Sequence, residues 1–292
     1  MKLRRLAGAA ALGVALAVLG SPLQAQEKAY DASRIVAIGG SVTEIIYALG
    51  EEDRLIARDT TSVFPEAALE LPDVGYIRQL SPEGVISVDP SLIIALEGSG
   101  PPEAVEVLEK ASIPMVTVPD RYDREGILEK IRIVGEVLDV EDKAAALTAE
   151  TDADLKAAEQ ATADIPERKK VLFVLSLQGG RILASGTDSA ADGIIQMAGG
   201  VNAVTEYAGY KQLTDEAVIE AAPDVILAMD RGGDHETQAN DLLSHPAIAA
   251  TPAAKSRSVV RMDGAYLLGF GPRTAAAVRD LSAALYGDAL AD

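Results

Sequence analysis

A tyrosine and an arginine two residues apart form the pair with the clearest chemical potential in the sequence. Tyr76 and Arg78 lie in a segment that reads Gly-Tyr-Ile-Arg-Gln-Leu-Ser over residues 75–81. A phenolate is a hard anionic ligand suited to ferric iron, although a free phenol ionises only near pH ~10. A bound cation and a neighbouring guanidinium both favour the ionised form. The pair therefore suits an iron site in which Tyr76 is the ligand and the cation of Arg78 stabilises its phenolate. The alternative is that Tyr76 is an ordinary packed tyrosine, one of eight in the chain.

Two acidic residues occupy matching positions in an internal repeat whose copies are 133 residues apart. The first copy begins at Leu80 and the second at Leu213. Each copy is predicted to form a capped helix, a proline break and a buried strand. Glu83 and Glu216 fall in the first turns of these two helices, where a carboxylate stabilises the helix dipole. One such unit in each half of the chain predicts two similar lobes.

A Gly-Tyr pair precedes each copy of the repeat, and it makes Tyr210 the counterpart of Tyr76. Tyr210 is followed by Lys211 and Gln212, so it lacks the Tyr-x-Arg spacing. We expect Tyr210 in a pocket wall or in the core, and we keep it as an alternative ligand. His235, in a loop after a predicted strand, is a second alternative, with a solvated loop histidine as its ordinary role.

The usual motifs of hydrolases and nucleotide enzymes are incomplete in this sequence. The segment His235–Ala239 has alanine where a zinc-protease helix carries its second histidine. The glycine-rich segment Gly269–Arg273 contains Pro272 and lacks a third glycine, and there is no Gly-x-Ser-x-Gly elbow. We expect a protein that is not an enzyme, with an exported cleft hydrolase as a remote alternative.

Composition excludes several classes of partner. The chain of 292 residues has 26 basic and 45 acidic residues, and its formal charge of −19 argues against nucleic acid. The absence of cysteine excludes disulfides, thiolate metal sites, a cysteine nucleophile and a cysteine lipid anchor. With only two histidines, a three-histidine metal site cannot form.

The surrounding elements predict two α/β lobes joined by a long helix. In the first lobe, a β-rich run at residues 34–40 ends in glycines, and residues 41–44 can cap the helix that follows. In the second, residues 170–176 form a strand and residues 191–200 a helix that ends at glycine. Residues 140 to about 163 contain no Gly or Pro and predict the connecting helix, which Ile165-Pro166 ends. Ligands commonly bind between such lobes.

The N-terminus has the pattern of a secretory signal peptide. Lys2, Arg4 and Arg5 precede the apolar run Leu6–Gly20, and Ala25 ends a cleavage region. We expect export to a bacterial periplasm with cleavage after Ala25. The predicted organisation is a signal peptide at 1–25, lobes at 26–139 and 167–292, and the connecting helix at 140–166.

Three segments resemble periplasmic haem-binding proteins of bacterial haem ABC importers. The most specific is Val74–Ser87, which resembles their haem-ligand segment, and the others are Ala198–Val204 and Met262–Arg273. The resemblance covers nearly the whole mature chain in order. It implies a class III substrate-binding protein fold, in which two lobes with central parallel sheets flanked by helices are joined by one rigid helix. The wider superfamily includes cobalamin and siderophore binders, so this architecture alone does not identify the ligand.

The resemblance assigns roles to the tyrosine and arginine described above. It implies that Tyr76 is the axial ligand of ferric haem and that Arg78 is its hydrogen-bonding neighbour. Haem is an apolar plate with two carboxylates, so its cleft should offer apolar walls and a cationic rim. The candidates for the wall are Tyr266, Leu267 and Phe270, and those for the rim are Arg181, Arg231 and Arg273.

The resemblance also bears on stoichiometry and on the transport partner. Some members hold a second haem with a histidine after the first strand of the second lobe, where this chain has Gln178. Because glutamine is a poor iron ligand, we expect one haem per chain. The superfamily uses one glutamate per lobe to dock on arginines of a permease dimer, which implies that role for Glu83 and Glu216.

These observations predict a monomeric periplasmic protein that captures ferric haem between two lobes and delivers it to an inner-membrane ABC importer. The alternative is a ferric-siderophore or cobalamin binder on the same fold. A siderophore chelate needs cationic or amide contacts rather than a protein ligand to iron. Coordination of iron by Tyr76 therefore separates haem from siderophore.

Overall fold

Short runs of β-branched and aliphatic residues form the strands of two sheets, one in each half of the chain. The computed structural model describes residues 30–230 and 235–290. The predicted signal peptide lies outside these residues. In the described ranges, no helix is both long and apolar enough to cross a membrane.

The first lobe is built on four parallel strands in the order β2-β1-β5-β6, with a separate two-stranded hairpin, β3–β4. Its elements in chain order are β1 (Ile35–Ile38), α1 (Gly40–Ala48), β2 (Leu55–Arg58), β3 (Gly75–Tyr76), β4 (Gln79–Leu80), α2 (Pro82–Ser87), β5 (Leu92–Leu96), α3 (Pro102–Lys110), β6 (Met115–Val118) and α4 (Arg124–Leu138).

The second lobe is built on a sheet in the order β10-β8-β7-β11-β12, with β9 pairing the start of β7. Between the lobes runs α5 (Glu141–Gln160). The elements of the second lobe are β7 (Lys170–Gln178), β8 (Arg181–Ser185), α6 (Ala190–Met197), β9 (Val201–Asn202), β10 (Tyr210–Leu213), α7 (Asp215–Ala221), β11 (Val225–Asp230), α8 (His235–Ser244), α9 (Pro246–Ala249), α10 (Pro252–Ser256), β12 (Val259–Asp263), α11 (Gly264–Leu268) and α12 (Thr274–Tyr286).

The second sheet is mixed, although the sequence predicts a central parallel sheet in each lobe. Strands β7, β11 and β12 are parallel, but β8 and β10 continue the sheet in antiparallel pairs. The cause is a two-residue hairpin between β7 and β8, in which Gly179 and Gly180 have φ of 57° and 73°. Glycine adopts these angles without steric cost, and two such residues form the turn that suits a tight hairpin.

The repeat predicted from the sequence is present in three dimensions. Helix α2 begins after Ser81, whose Oγ accepts the N–H of Gly84 at 3.2 Å, and α7 begins after Thr214, whose Oγ1 accepts the N–H of Ala217 at 3.2 Å. Each helix leads into the central strand β5 or β11. The duplicated pattern therefore has a duplicated structure.

The cap predicted for α1 is wrong. The helix begins at Gly40, and Gly39 holds the cap position with φ 111° and no side-chain hydrogen bond. The predicted capping residues are thus inside the helix, where Ser41 and Glu44 are buried. Glu44 does not cap the helix but accepts a hydrogen bond from Arg273 of the other lobe.

The connecting helix α5 is 20 residues long, and a helix of that length spans about 30 Å. It ends at Gln160, six residues before Pro166, and residues 161–164 form turns. One continuous apolar cluster includes Ile35 and Leu92 of the first lobe, Leu155 of α5, and Phe173 and Leu227 of the second. The two lobes are therefore joined by a shared core as well as by the helix.

Candidate ligand-binding cleft

Tyr76 is presented by the small hairpin of β3 and β4. Tyr76 pairs with Gln79 across the hairpin. Of the two residues between them, Ile77 faces the core and Arg78 faces solvent. Ile77 is buried, whereas the side chain of Tyr76 is 46% exposed. The hairpin is fixed to the loops after two core strands, because Thr60 donates to the carbonyl of Gly75 and Gly100 donates to that of Ile77, both at 2.9 Å. A phenol is thus held in the open on a short, well-anchored turn.

Arg78 is oriented by the loop that follows β5. Its Nη1 donates to the carbonyl of Gly98 at 3.1 Å. Gly98 has φ 78°, and a Cβ at this position would lie 2.9 Å from that Nη1 atom. A glycine therefore allows the guanidinium to lie close to the backbone of the loop.

The loop after β6 adds two residues that the sequence analysis missed, Asp120 and Tyr122. Asp120 accepts a 2.6 Å hydrogen bond from Lys130, which is fully buried on α4. Burial, and then the nearby Asp120, raise the pKa of Tyr122 to about 12, and Arg78 opposes that rise. The Tyr122 hydroxyl therefore keeps its proton at neutral pH and is hydrogen-bonded to Asp120.

Tyr210 brings a second phenol to this region from the other lobe. Its ring meets that of Phe173 edge to face, with centroids 6.3 Å apart, and its side chain remains 37% exposed. Burial raises the pKa of Tyr210, whereas the amide of Ala191, the Ser189 hydroxyl and Arg78 each favour the phenolate. The charge of Arg78 favours the phenolate of both Tyr122 and Tyr210, so the guanidinium lies within electrostatic range of one phenol from each lobe. With Asp120 they form what we call the cleft cluster: Arg78, Asp120, Tyr122 and Tyr210.

Phe270 lies beneath the cleft cluster rather than beside it. Its ring packs edge to face on Tyr122 with centroids 5.3 Å apart, and only 1% of the residue is exposed. The two lobes meet closely here, since a Cβ on Gly193 would lie 2.2 Å from the carbonyl oxygen of Tyr122. Phe270 supports Tyr122 from behind and does not present an open face.

Two further candidates for the cleft are engaged in other contacts. The Tyr266 hydroxyl donates to Asp280 at 2.9 Å, and burial followed by Asp280 raises the pKa of this tyrosine to about 12. Arg273 binds Glu44 through its Nε at 2.9 Å and stacks on the ring of Phe64 at 3.5 Å. Arg273 thus joins the two lobes and is not a free cation at the rim.

Of the remaining candidates, the structure describes the rim candidate Arg181 but not the rim candidate Arg231 or the side chain of His235, the alternative ligand. Arg181 is exposed beside the tip of the β7–β8 hairpin, where it pairs with Gln178. It is four residues along β8 from Ser185, the partner of Tyr210, which is about 13 Å at the usual rise of a strand. Arg231 and the side chain of His235 lie outside the described residues.

Comparison with known proteins identifies the family. The family model described as "Periplasmic binding protein" matches residues 35–266. The chain belongs to the periplasmic binding protein family. The structure is similar to that of the periplasmic haem-binding protein BhuT in complex with two haems, with a TM-score of 0.82 and 41% identity, covering 88% of this chain and 98% of BhuT.

Two curated relatives belong to the same family of transport proteins. An uncharacterised ABC transporter substrate-binding lipoprotein, YvrC of Bacillus subtilis, is 28% identical over 87% of this chain and 80% of its own length. The vitamin B12-binding protein of Vibrio campbellii is 28% identical over 68% of this chain and 70% of its own length. These relatives are binding proteins rather than enzymes.

The two repeat glutamates of this periplasmic binding protein are exposed on the surface. Glu83 is exposed in the first turn of α2 and accepts a 3.1 Å hydrogen bond from Ser81. Glu216 is exposed in the first turn of α7. Both carboxylates are placed to stabilise a helix dipole and to be reached by a partner.

The missed residues share a recognisable position. Asp120 and Tyr122 follow the parallel strand β6, and the loops at the carboxyl ends of such strands commonly line ligand sites. The Val-Pro-Asp sequence after the apolar run at residues 115–118 was the available signal. The pair of Glu44 and Arg273 had no such signal, because its members are 229 residues apart.

Proposed function

We propose that this periplasmic binding protein captures ferric haem in the cleft between its lobes, with Tyr76 as the axial ligand. The observation that carries the proposal is the half-exposed phenol of Tyr76 on an anchored hairpin, two residues from a cation. The likeness to BhuT at 41% identity supports haem rather than another ligand of the superfamily. Arg78 stabilises either the phenolate or a haem propionate, since both are anions within reach of one guanidinium.

The rest of the cleft offers groups that suit both the apolar ring and the polar edge of haem. The cleft cluster offers two protonated tyrosines, Tyr122 and Tyr210, whose rings contact a flat macrocycle. The Tyr122 hydroxyl is bonded to Asp120, so the Tyr210 hydroxyl is the one that donates to the polar edge of the ligand. Arg181, Arg231 and Tyr266 remain our candidates for the outer rim and wall, and Phe270 supports the floor through Tyr122. Walls that combine apolar faces with a few oriented polar groups are typical of such sites.

We further propose one haem per chain. Gln178, at the position where a histidine holds a second haem in similar proteins, is exposed at a hairpin tip and offers only an amide. The solved relative BhuT holds two haems, so a second molecule in this cleft is the specific alternative. Tyr210 is its available phenol ligand.

A cobalamin binder is the second candidate function, favoured by the vitamin B12-binding relative. The decisive experiment is a parallel titration of the purified mature protein with haemin, cyanocobalamin and a ferric catecholate siderophore. We expect submicromolar affinity for haemin only, saturating at one equivalent. Saturation at two would assign the stacked arrangement. Tight binding of cobalamin or siderophore with weak haemin binding would overturn the proposal.

The function extends to delivery. We propose that the protein works as a monomer in the periplasm and hands haem to the permease dimer of an inner-membrane ABC importer, with Glu83 and Glu216 as docking residues. Charge reversal at both positions should leave the haemin titration unchanged and abolish haem uptake into importer-containing proteoliposomes. Loss of haem binding in this double variant would contradict a purely docking role.

A further inference from the structure

Two isoleucines stand exposed at matching positions of the internal repeat. Ile86 on α2 is 40% exposed and Ile219 on α7 is 48% exposed, and they are 133 residues apart. The other exposed valine, leucine and phenylalanine side chains among the described residues lie outside both copies of the repeat: Val63, Phe64, Leu69, Val107 and Val201. The two isoleucines are therefore an exposed apolar pair that the duplication preserves.

The local structure around each isoleucine is also duplicated. Ile86 follows Glu83 by three residues, and Ile219 follows Glu216 by three, so each helix presents a carboxylate and an isoleucine on one face. The preceding valine of each helix is fully buried. Each helix is followed by a residue of positive φ, Asp89 at 53° or Ala222 at 45°.

Stability of the isolated fold accounts for the glutamates but not for the isoleucines. A carboxylate in the first turn stabilises the helix dipole. An isoleucine in water contributes nothing there, and its burial against a partner is favourable by about 1.5–3 kcal/mol for a full side chain. Each lobe thus offers one acidic and one apolar contact point. This arrangement suits a partner that is built of two equivalent halves.

We propose that Ile86 and Ile219, each three residues after a docking glutamate, form an apolar contact with each half of the permease dimer of the importer. This inference rests on the proposed function and specifies how that partner is recognised. Each half of the dimer would supply a basic side chain for the glutamate and an apolar recess for the isoleucine. The acidic chain, with a formal charge of −19, is attracted to a basic partner surface, and the isoleucines supply the desolvated contact.

The test uses haem-loaded protein and a haem ABC importer reconstituted in lipid nanodiscs, with binding measured by biolayer interferometry. The variants are Ile86→Ser, Ile219→Ser and the double variant, and Val107→Ser is the matched control because that valine is 45% exposed outside the repeat. We expect each single variant to weaken binding about fivefold and by a similar factor, and the double variant at least 20-fold, as for central contact residues. The control should bind as the wild type does.

The outcomes separate this inference from the proposed function. Wild-type affinity in the double variant would overturn the inference and leave delivery intact. Failure of the wild type to bind the importer, with haem binding retained, would overturn the delivery proposal itself. Loss of haem affinity in the isoleucine variants would place these residues in ligand binding instead. A concentration-dependent dimer of the wild type, absent from the double variant in sedimentation velocity, would assign the surface to self-association.

Discussion

At the scale of single residues, the three cleft tyrosines differ in what surrounds them. Tyr122 lies beside Asp120 above the Phe270 ring, and burial raises its pKa to about 12. Burial also raises the pKa of Tyr210, with Phe173 against its ring. Tyr76 stands 46% exposed on a hairpin turn. These surroundings support our proposal that Tyr76 is the iron ligand and that the other two phenols serve hydrogen bonding and packing.

Arg78→Gln removes the cation that we place beside the bound phenolate. Because the guanidinium stabilises an anion, its loss should weaken haemin binding about 10-fold, an effect of about 1.4 kcal/mol. Haemin titrations of wild type and variant under the same conditions measure this. Arg257→Gln, which alters an exposed arginine before the start of β12, is the control, and an equal loss there would contradict a specific role for Arg78.

Lys130→Met tests the buried ion pair under the cleft. Removing one partner of such a pair destabilises a protein by about 3 kcal/mol, because the other charge is left without its partner. Burial lowers the pKa of Lys130 below the ordinary lysine value of 10.5. The folded state therefore binds fewer protons in the window below pH 10.5, and this group adds stability as pH rises through that window.

Urea denaturation from pH 8 to pH 10 measures both effects for wild type and variant. The difference between the two proteins should widen with pH, since the variant lacks the titrating lysine. The double variant Lys130→Met/Asp120→Asn should recover more than half of the loss. A single variant as stable as the wild type would contradict the assigned pair.

Sequence reasoning named part of the proposed site and missed part for a physical reason. Tyr76 and Arg78 lie in one local segment, so their types and spacing are visible in the sequence. Asp120 and Lys130 are ten residues apart on a loop and a helix, and only the packing of α4 brings them together. Phe270 was predicted as a wall residue because it is aromatic, but its burial under Tyr122 depends on how two lobes meet.

At the scale of elements, local patterns predicted most of what the structure contains. The capped helices α2 and α7, the strands after them and the connecting helix follow from periodicity, capping residues and the absence of Gly and Pro. The antiparallel arm of the second sheet was missed, although Gly179-Gly180 after a β-rich run is a hairpin signal. The beginning of α1 was misplaced because Gly39 caps it through backbone conformation alone.

Gly193→Ala tests the close contact between α6 and the loop that carries Tyr122. A methyl group there would lie 2.2 Å from a backbone oxygen, so one lobe must shift relative to the other. We expect a loss of stability of about 1–3 kcal/mol, typical of overpacking, and weaker haemin binding because Tyr122 moves. Gly84→Ala is the control, since its nearest neighbour is at 3.5 Å. Thermal denaturation that ranks the control as the less stable protein would contradict this account.

At the scale of the whole molecule, the lobes behave as parts of one packed body. The continuous core through α5 and the bond between Glu44 and Arg273 both oppose a wide opening. The flat ligand that we propose would therefore be bound with small adjustments of the lobes rather than by a large closure. The sequence predicted two lobes and a stiff connector, but long-range pairs such as this one require the folded structure.

Arg273→Met tests the ionic contact between the lobes. Glu44 accepts both the Nε–H and the backbone N–H of Arg273, and it is 8% exposed. Loss of the guanidinium should cost about 2 kcal/mol, as for a hydrogen bond between charged groups. It should also increase amide hydrogen exchange in the segment around Gly271. Arg121→Met removes a solvent-exposed arginine with two acidic neighbours and should change neither observable.

The most direct test of the account is spectroscopic. Haemin is bound to the wild type, to Tyr76→Phe and to Tyr210→Phe, and the absorption and resonance Raman spectra are compared. The account predicts a ferric phenolate spectrum in the wild type and in Tyr210→Phe, and its complete loss in Tyr76→Phe, with at least 10-fold weaker binding. A phenolate spectrum that persists in Tyr76→Phe and disappears in Tyr210→Phe would contradict the central claim and move the iron to the second lobe.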